Sequence, residues 1–187
     1  MNMQITHQKK LCQTSNLDSS SKIFKIFDHL NISYRTIHHP PMFTVSDSKR
    51  FRESENSVAY TKNLFLKNKK GYMLLLTCLE DSVVDLPWIG KEFNLGRLSF
   101  CSHQRLCEYL GVTPGSVSPL SLINDTKQAV SFMLEKEILE YNTICLHPLD
   151  NTQTTSISLP SLIKFIEFTD HKTNFINLNA YEKEDKG

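Results

Sequence analysis

The chain has 187 residues, 40% hydrophobic and 22% charged, enough for one domain with a full core and tight for two. Its longest apolar runs are about seven residues, far short of the ~20 that a membrane-spanning helix needs, and the first ten residues lack the basic-then-apolar order of a secretory signal. The net charge of +1 points to no partner by itself, but it is unevenly spread: +2 over residues 1–48, +4 over 49–105 and −5 over 106–187.

Five cysteines (Cys12, Cys78, Cys101, Cys107, Cys145) without a CxxC pair predict reduced, mostly structural thiols and a cytoplasmic location. Residues 1–17 are polar and aperiodic and read as a loose extension. Ser19–Ser21 is placed to cap a helix whose apolar positions, Ile23, Phe24, Ile26, Phe27 and Leu30, recur at helical spacing. Ile32–Ile37 alternates like a strand and stops at His38-His-Pro-Pro41, because each proline removes a donor and restricts the residue before it. Ser46–Glu53 reads as a short capped helix.

Two β-rich runs follow, Val58–Leu66 and Tyr72–Cys78, joined by Lys67-Asn-Lys-Lys-Gly71, which predicts a hairpin. Alternation puts Val58, Tyr60, Lys62, Leu64 and Leu66 on one face and Ala59, Thr61, Asn63, Phe65 and Lys67 on the other. Lys62 therefore sits amid apolar neighbours, where an ammonium needs partners. It is either a lysine snorkelling at a sheet edge or the cation at the floor of a ligand pocket.

Leu86–Phe93 reads as a Pro-started helical turn, Gly96–Phe100 as a short strand, and Ser102–Leu110 as a helix ended by Gly111. Gly111–Asp125, rich in Gly, Pro and Ser, is a stiff loop whose glycine amides can approach a ligand. Ala129–Leu134 reads as a strand, Glu135–Tyr141 as a short helix and Thr143–Leu146 as a strand ending at His147-Pro148. Thr152–Ser158 is β-prone, Leu159–Phe168 is an amphipathic helix, Asn174–Leu178 is a last strand, and residues 181–187 form a polar tail. Hairpins mixed with helices predict a single α+β domain around a mixed, mainly antiparallel sheet flanked by helices.

Cys101-x-His103 with Cys107 and Cys145-x-His147 lack the paired spacing of a zinc site, and strand neighbours two apart stand too far from each other for a nucleophile and its base. There is no GxxxxGK[ST], GxGxxG or HExxH, so phosphate-loop, dinucleotide and zincin chemistry have no local support. No metal and no cofactor are expected.

What remains is spread along the chain: His39-Pro-Pro-Met-Phe-Thr-Val45, Thr61-Lys-Asn-Leu-Phe-Leu66, the GxxxP run Gly115-Ser-Val-Ser-Pro119, Asn124-Asp125, and His147-Pro-Leu-Asp-Asn-Thr-Gln-Thr-Thr155. In this order the pieces resemble the prolyl-tRNA editing superfamily of YbaK-like domains, closest to its free-standing branch that removes alanine from mischarged tRNA for proline. The resemblance implies an editing domain over residues 18–180 that hydrolyses the ester between a wrong amino acid and the terminal adenosine of tRNA. Lys62 matches the family's key lysine, Gly115 the glycine whose backbone places the aminoacyl group, and His147 the pocket-edge histidine. Asn63, Phe43, Thr44, Ser116, Val117 and Pro119 would line the substrate. The implied partners are mischarged tRNA and a prolyl-tRNA synthetase, with neither membrane nor DNA. Asp150 and Gln153 depart from the pattern, where an aliphatic and a small residue are expected. The alternatives are a deacylase for another mischarged tRNA, such as cysteinyl-tRNA for proline, or a non-catalytic module that binds tRNA or a synthetase.

Overall fold

The computed structural model describes residues 16–42, Lys49 and 57–180. Eight strands form one mixed sheet: β1 (Tyr34–His38), β2 (Val58–Lys67), β3 (Met73–Leu79), β4 (Ser99–Phe100), β5 (Val130–Glu135), β6 (Thr143–Leu146), β7 (Gln153–Ser158) and β8 (Thr173–Ile176). Their order is β1-β7-β6-β2-β3-β5-β8, with β4 against the far end of β2. The pairs β1–β7, β7–β6, β2–β3 and β2–β4 are antiparallel, and β2–β6, β3–β5 and β5–β8 are parallel. The fold is thus the expected α+β domain with a mixed, mainly antiparallel sheet. No helix among the described residues is long and apolar enough to cross a membrane.

Among the described residues the sheet is flanked by α1 (Asn16–His29), α2 (Leu86–Glu92), α3 (His103–Arg105), which runs on into a π-helical turn (Leu106–Leu110), and α4 (Leu159–Phe168). Ser19–Ser21 lies inside α1 and does not cap it; Ser20 instead donates its hydroxyl to the Pro148 carbonyl at 2.8 Å, fastening α1 to the turn after β6. The other helices start where their sequences predict. Asp85 caps α2 through the Trp88 N–H, Ser102 caps α3 and Ser158 caps α4. The Gly-Pro loop is more ordered than its composition implies, because Ser118 caps a 3-10 helix, Pro119–Asn124, that opens on proline.

Alternation along β2 splits the core in two. Ala59 and Phe65 join β3, β5, β6 and β7 side chains under α1, α4 and the Gly-Pro loop, whereas Leu64 and Leu66 face a second core with Leu74, Leu76, Trp88 and Ile89. The second core covers only β2, β3, β5 and β8. Cys107 is disulfide-bonded, against the expectation of reduced thiols. Cys78, Cys101 and Cys145 are free.

Candidate active site at the split between β2 and β6

The two halves of the sheet share β2, and the sharing opens a gap. On one edge β3 accompanies β2 from Thr61 to Lys67, and the Glu80 N–H extends the pairing to the Tyr60 carbonyl. On the other edge β6 pairs only with Val58–Tyr60, and β4 only with Leu66–Lys67. Among the described residues no strand lies against that edge between them. Strand backbone groups alternate in direction, and because the Phe65 carbonyl meets the Cys101 N–H on this edge, the main-chain N–H and C=O of Asn63 also face the gap. A crevice beyond the carboxyl end of β6, where a parallel pair parts, is a recurrent place for ligands in mixed sheets.

Lys62 stands at this gap on the face opposite Asn63. Its amine is half-buried and donates to two main-chain carbonyls, Glu80 at 3.0 Å and Ser82 at 2.6 Å. An ammonium has three N–H donors, so this cradle fixes the charge and leaves one donor for a ligand. The cradle is itself anchored by Glu135, the last residue of β5, which is 1% exposed. It accepts the Leu79 N–H at 2.7 Å and the Ser82 hydroxyl at 2.8 Å. Burial raises the Glu135 pKa above its usual range, and those two hydrogen bonds and the Lys62 charge work against the rise. The sequence marks Glu135 as a helix residue; only the parallel pairing of β3 with β5 brings it beneath the Leu79–Ser82 turn. The neighbouring Cys78 thiol is pushed up to about 12 by burial and is no nucleophile.

In the parallel register Tyr60 pairs with Cys145, so Lys62 and His147, each two residues further on, come level where the strands separate. The Thr61 hydroxyl bridges the split by donating to the Cys145 carbonyl at 3.1 Å. His147 holds its Nδ1–H against the Gln153 carbonyl at 2.7 Å, which leaves Nε2 as an acceptor in the neutral ring. Burial lowers its pKa below 6.5, and the His39 ring, 6.0 Å away, lowers it further. The turn carrying His147 is strained and braced: Leu149 has φ +65°, and buried Asp150 accepts the Thr152 N–H and hydroxyl, both at 2.9 Å, and the Gln153 amide at 3.4 Å. The two departures from the expected motif, Asp150 and Gln153, are therefore partners of each other.

The other predicted residues fall in different places. Asn63 accepts the Thr77 hydroxyl at 2.7 Å on its side-chain oxygen. Gly115 has φ +90°, a conformation that favours glycine, and Ser116, Ser118 and Pro119 are buried while Val117 is half-buried. From Gly115 to Ser121 the hydrogen bonds are local, Ser116 to Thr113 and Ser121 to Ser118. Val117, Leu120 and Leu122 pack into the core on the Ala59 face. Lys62 and His147 each follow by two residues the last positions that pair β2 with β6, Tyr60 and Cys145, and the Gly-Pro loop packs on the face opposite the Lys62 side chain. Phe43 and Thr44 lie outside the described residues.

This arrangement, a cradled ammonium and a neutral imidazole beside an open strand edge, is paired with a family-wide sequence match: residues 39–165 match the aminoacyl-tRNA editing domain, and the chain belongs to that family. It is 31% identical to the prolyl-tRNA editing protein ProX of Acetoanaerobium sticklandii over 81% of this chain and 93% of that protein. It is 32% identical to prolyl-tRNA synthetase associated domain-containing protein 1 of Danio rerio, over 83% and 85% of the two chains. The fold is also that of a solved structure, a candidate trans-editing enzyme for prolyl-tRNA synthetase, at a TM-score of 0.65 and 14% identity, covering 85% of this chain and 96% of the other.

Proposed function

We propose that the chain is a trans-acting deacylase that hydrolyses mischarged tRNA for proline, with the alanyl ester as its preferred substrate. The observation that carries the reading is the half-buried Lys62 ammonium, held by the Glu80 and Ser82 carbonyls with one donor left for a ligand. In the reaction a water oxygen adds to the ester carbonyl, and the bond to the ribose oxygen then breaks, releasing the amino acid and the free 3′ hydroxyl. Such a reaction needs positive charge and N–H donors where negative charge develops. Lys62 supplies the charge, to the ester oxygen or the terminal phosphate, and the Asn63 main chain offers an N–H group at the open strand edge. Neutral His147 offers Nε2 to an N–H or O–H of the substrate or water, and Val117 packs the Gly-Pro loop against the core behind β2. Buried Ser116 and Pro119 hold the loop's shape.

The alanine preference draws on the likeness to the free-standing branch of the family and on steric exclusion. A pocket closed to larger side chains rejects them by clash, whereas a missing methylene discriminates by only ~1–3 kcal/mol. A panel of charged tRNAs, including alanyl-, cysteinyl- and prolyl-tRNA for proline, tests the reading with Lys62→Ala in parallel. The expected result is rapid loss of the alanyl ester with wild type and none above background with the variant. Intact esters across the panel, with tRNA retained, would establish a binding module instead.

A further inference from the structure

The basic middle of the sequence becomes a defined surface in the fold. Two segments without any acidic residue, Leu66–Leu79 and Phe93–Cys107, are brought side by side at the far end of β2. Lys67 pairs with Ser99 in β4, the Asn68 side-chain amide donates to the Leu95 carbonyl at 2.7 Å, and the Cys101 N–H donates to the Phe65 carbonyl at 2.9 Å. This joins Lys67, Lys69 and Lys70 to Arg97 and Arg105. Lys69, Lys70 and Arg97 are exposed, and no ion pair among the described residues involves any of the five. Lys67 and Arg105 both pull on the Cys101 thiol, which burial nevertheless raises to about 11, so the two charges converge on one spot. In their midst Phe100 is 61% exposed, an aromatic face among cations.

We propose that this end of the sheet, the β2–β3 turn with β4 and α3, is the docking surface for the acceptor arm of the tRNA. The inference rests on the deacylase reading for its partner. Clustered unpaired cations with an interleaved aromatic ring suit a nucleic-acid backbone and an unstacked base. The remainder of the molecule favours this end, since residues 106–187 carry −5 and repel a polyanion. Spacing agrees as well. Lys62 to Lys67 along β2 is about 16 Å at ~3.3 Å per residue, a separation that the unpaired 3′ end of a tRNA can bridge. A terminal adenosine at Lys62 then leaves the paired stem over the cationic end.

The test is binding of uncharged tRNA, followed by fluorescence anisotropy over a range of salt concentrations. Lys69→Glu/Lys70→Glu/Arg97→Glu is expected to weaken binding at least tenfold and to flatten the plot of log affinity against log salt by about 2, since each lost phosphate contact removes about 0.7–0.9. Phe100→Ala is expected to cost roughly tenfold, and Lys127→Glu/Lys172→Glu, outside the surface, to leave binding within twofold. In turnover with charged tRNA the loss falls on KM. Unchanged affinity and salt slope in the triple variant, or equal weakening by the outside pair, overturns the proposal. Because the binding assay uses uncharged tRNA, a wild type that binds through this surface but hydrolyses no ester would refute the deacylase reading and leave the docking surface standing.

Discussion

The two halves of the sheet are built differently. In the half containing β3, β5 and β8 both faces are covered, and six of the seven residues of β3 are buried. In the half containing β1, β7 and β6 the described residues cover one face only. Residues along β7 alternate between buried and open, β1 is exposed at four of its five positions, and Ile37 is 40% exposed. The two-sided half is a scaffold whose apolar side chains set stability. The one-sided half carries His147 with its braces Asp150 and Gln153, and β2 passes from one half to the other at Lys62. The proposed site lies where burial on the second face runs out, because there a charge can be held by carbonyls and still be reached.

That contrast sets the expected effects of mutation. Leu75→Ala, in the two-sided half and 0% exposed, is expected to cost about 2–5 kcal/mol of unfolding free energy in a denaturant titration; a loss under 1 kcal/mol would mean that this half is not the scaffold. Lys62→Ala is expected to slow deacylation about 100–1000-fold, the usual consequence of removing one electrostatic stabiliser, while its denaturation midpoint stays close to wild type. If it unfolds as readily as Leu75→Ala, the lysine is structural. Glu135→Ala leaves the Leu79 N–H and Ser82 hydroxyl without their acceptor and is expected to cost about 1–3 kcal/mol. It also slackens the Lys62 cradle, so turnover falls while the tRNA affinity holds. Equal turnover in the variant would separate the carboxylate from the site.

The pH response probes the open side more gently. Because the folded pKa of His147 lies below 6.5, folding favours the neutral ring. The contribution is full above 6.5 and is lost as pH falls through the lowered value, the unfolded chain taking up the proton first. Wild type should therefore lose more stability than His147→Gln on acidification below 6.5, and an NMR titration of the ring should give a midpoint under that value. A midpoint at or above it would contradict the buried neutral imidazole. The smallest effect is expected at Ile37→Thr on the one-sided half, within about 0.5 kcal/mol by denaturation.

Much of the fold was legible because its signals were local. Thr143–Leu146 and Leu159–Phe168 have the predicted bounds, and the hairpin of β2 and β3 follows from two β-rich runs around a Gly-containing turn. Lys62 was legible as a cation interrupting an apolar face. Three features were not, since each depends on partners far apart in sequence. The acceptors of Lys62 are main-chain carbonyls, which no residue type advertises. Glu135 reaches the site through parallel pairing across 56 residues. Asp125, read as part of a loop, is buried with its carboxylate on the Ala129 and Val130 N–H groups and on His171 at 3.1 Å, locking the loop's exit to the end of α4. The placement of Ser19–Ser21 inside α1 shows the opposite error, in which a good local cap motif is overruled because Ser20 bonds instead to the Pro148 carbonyl.

Because β2 alone threads both halves, they need not come apart together. Amide exchange in the native protein should resolve two cooperative units, with β3 and β5 protected close to the global limit and β1 and β7 exchanging through a cheaper partial opening. In that partly open form the hinge falls at Tyr60–Thr61, so Lys62 would stay with the rigid unit while the His147 imidazole travels with the loose one.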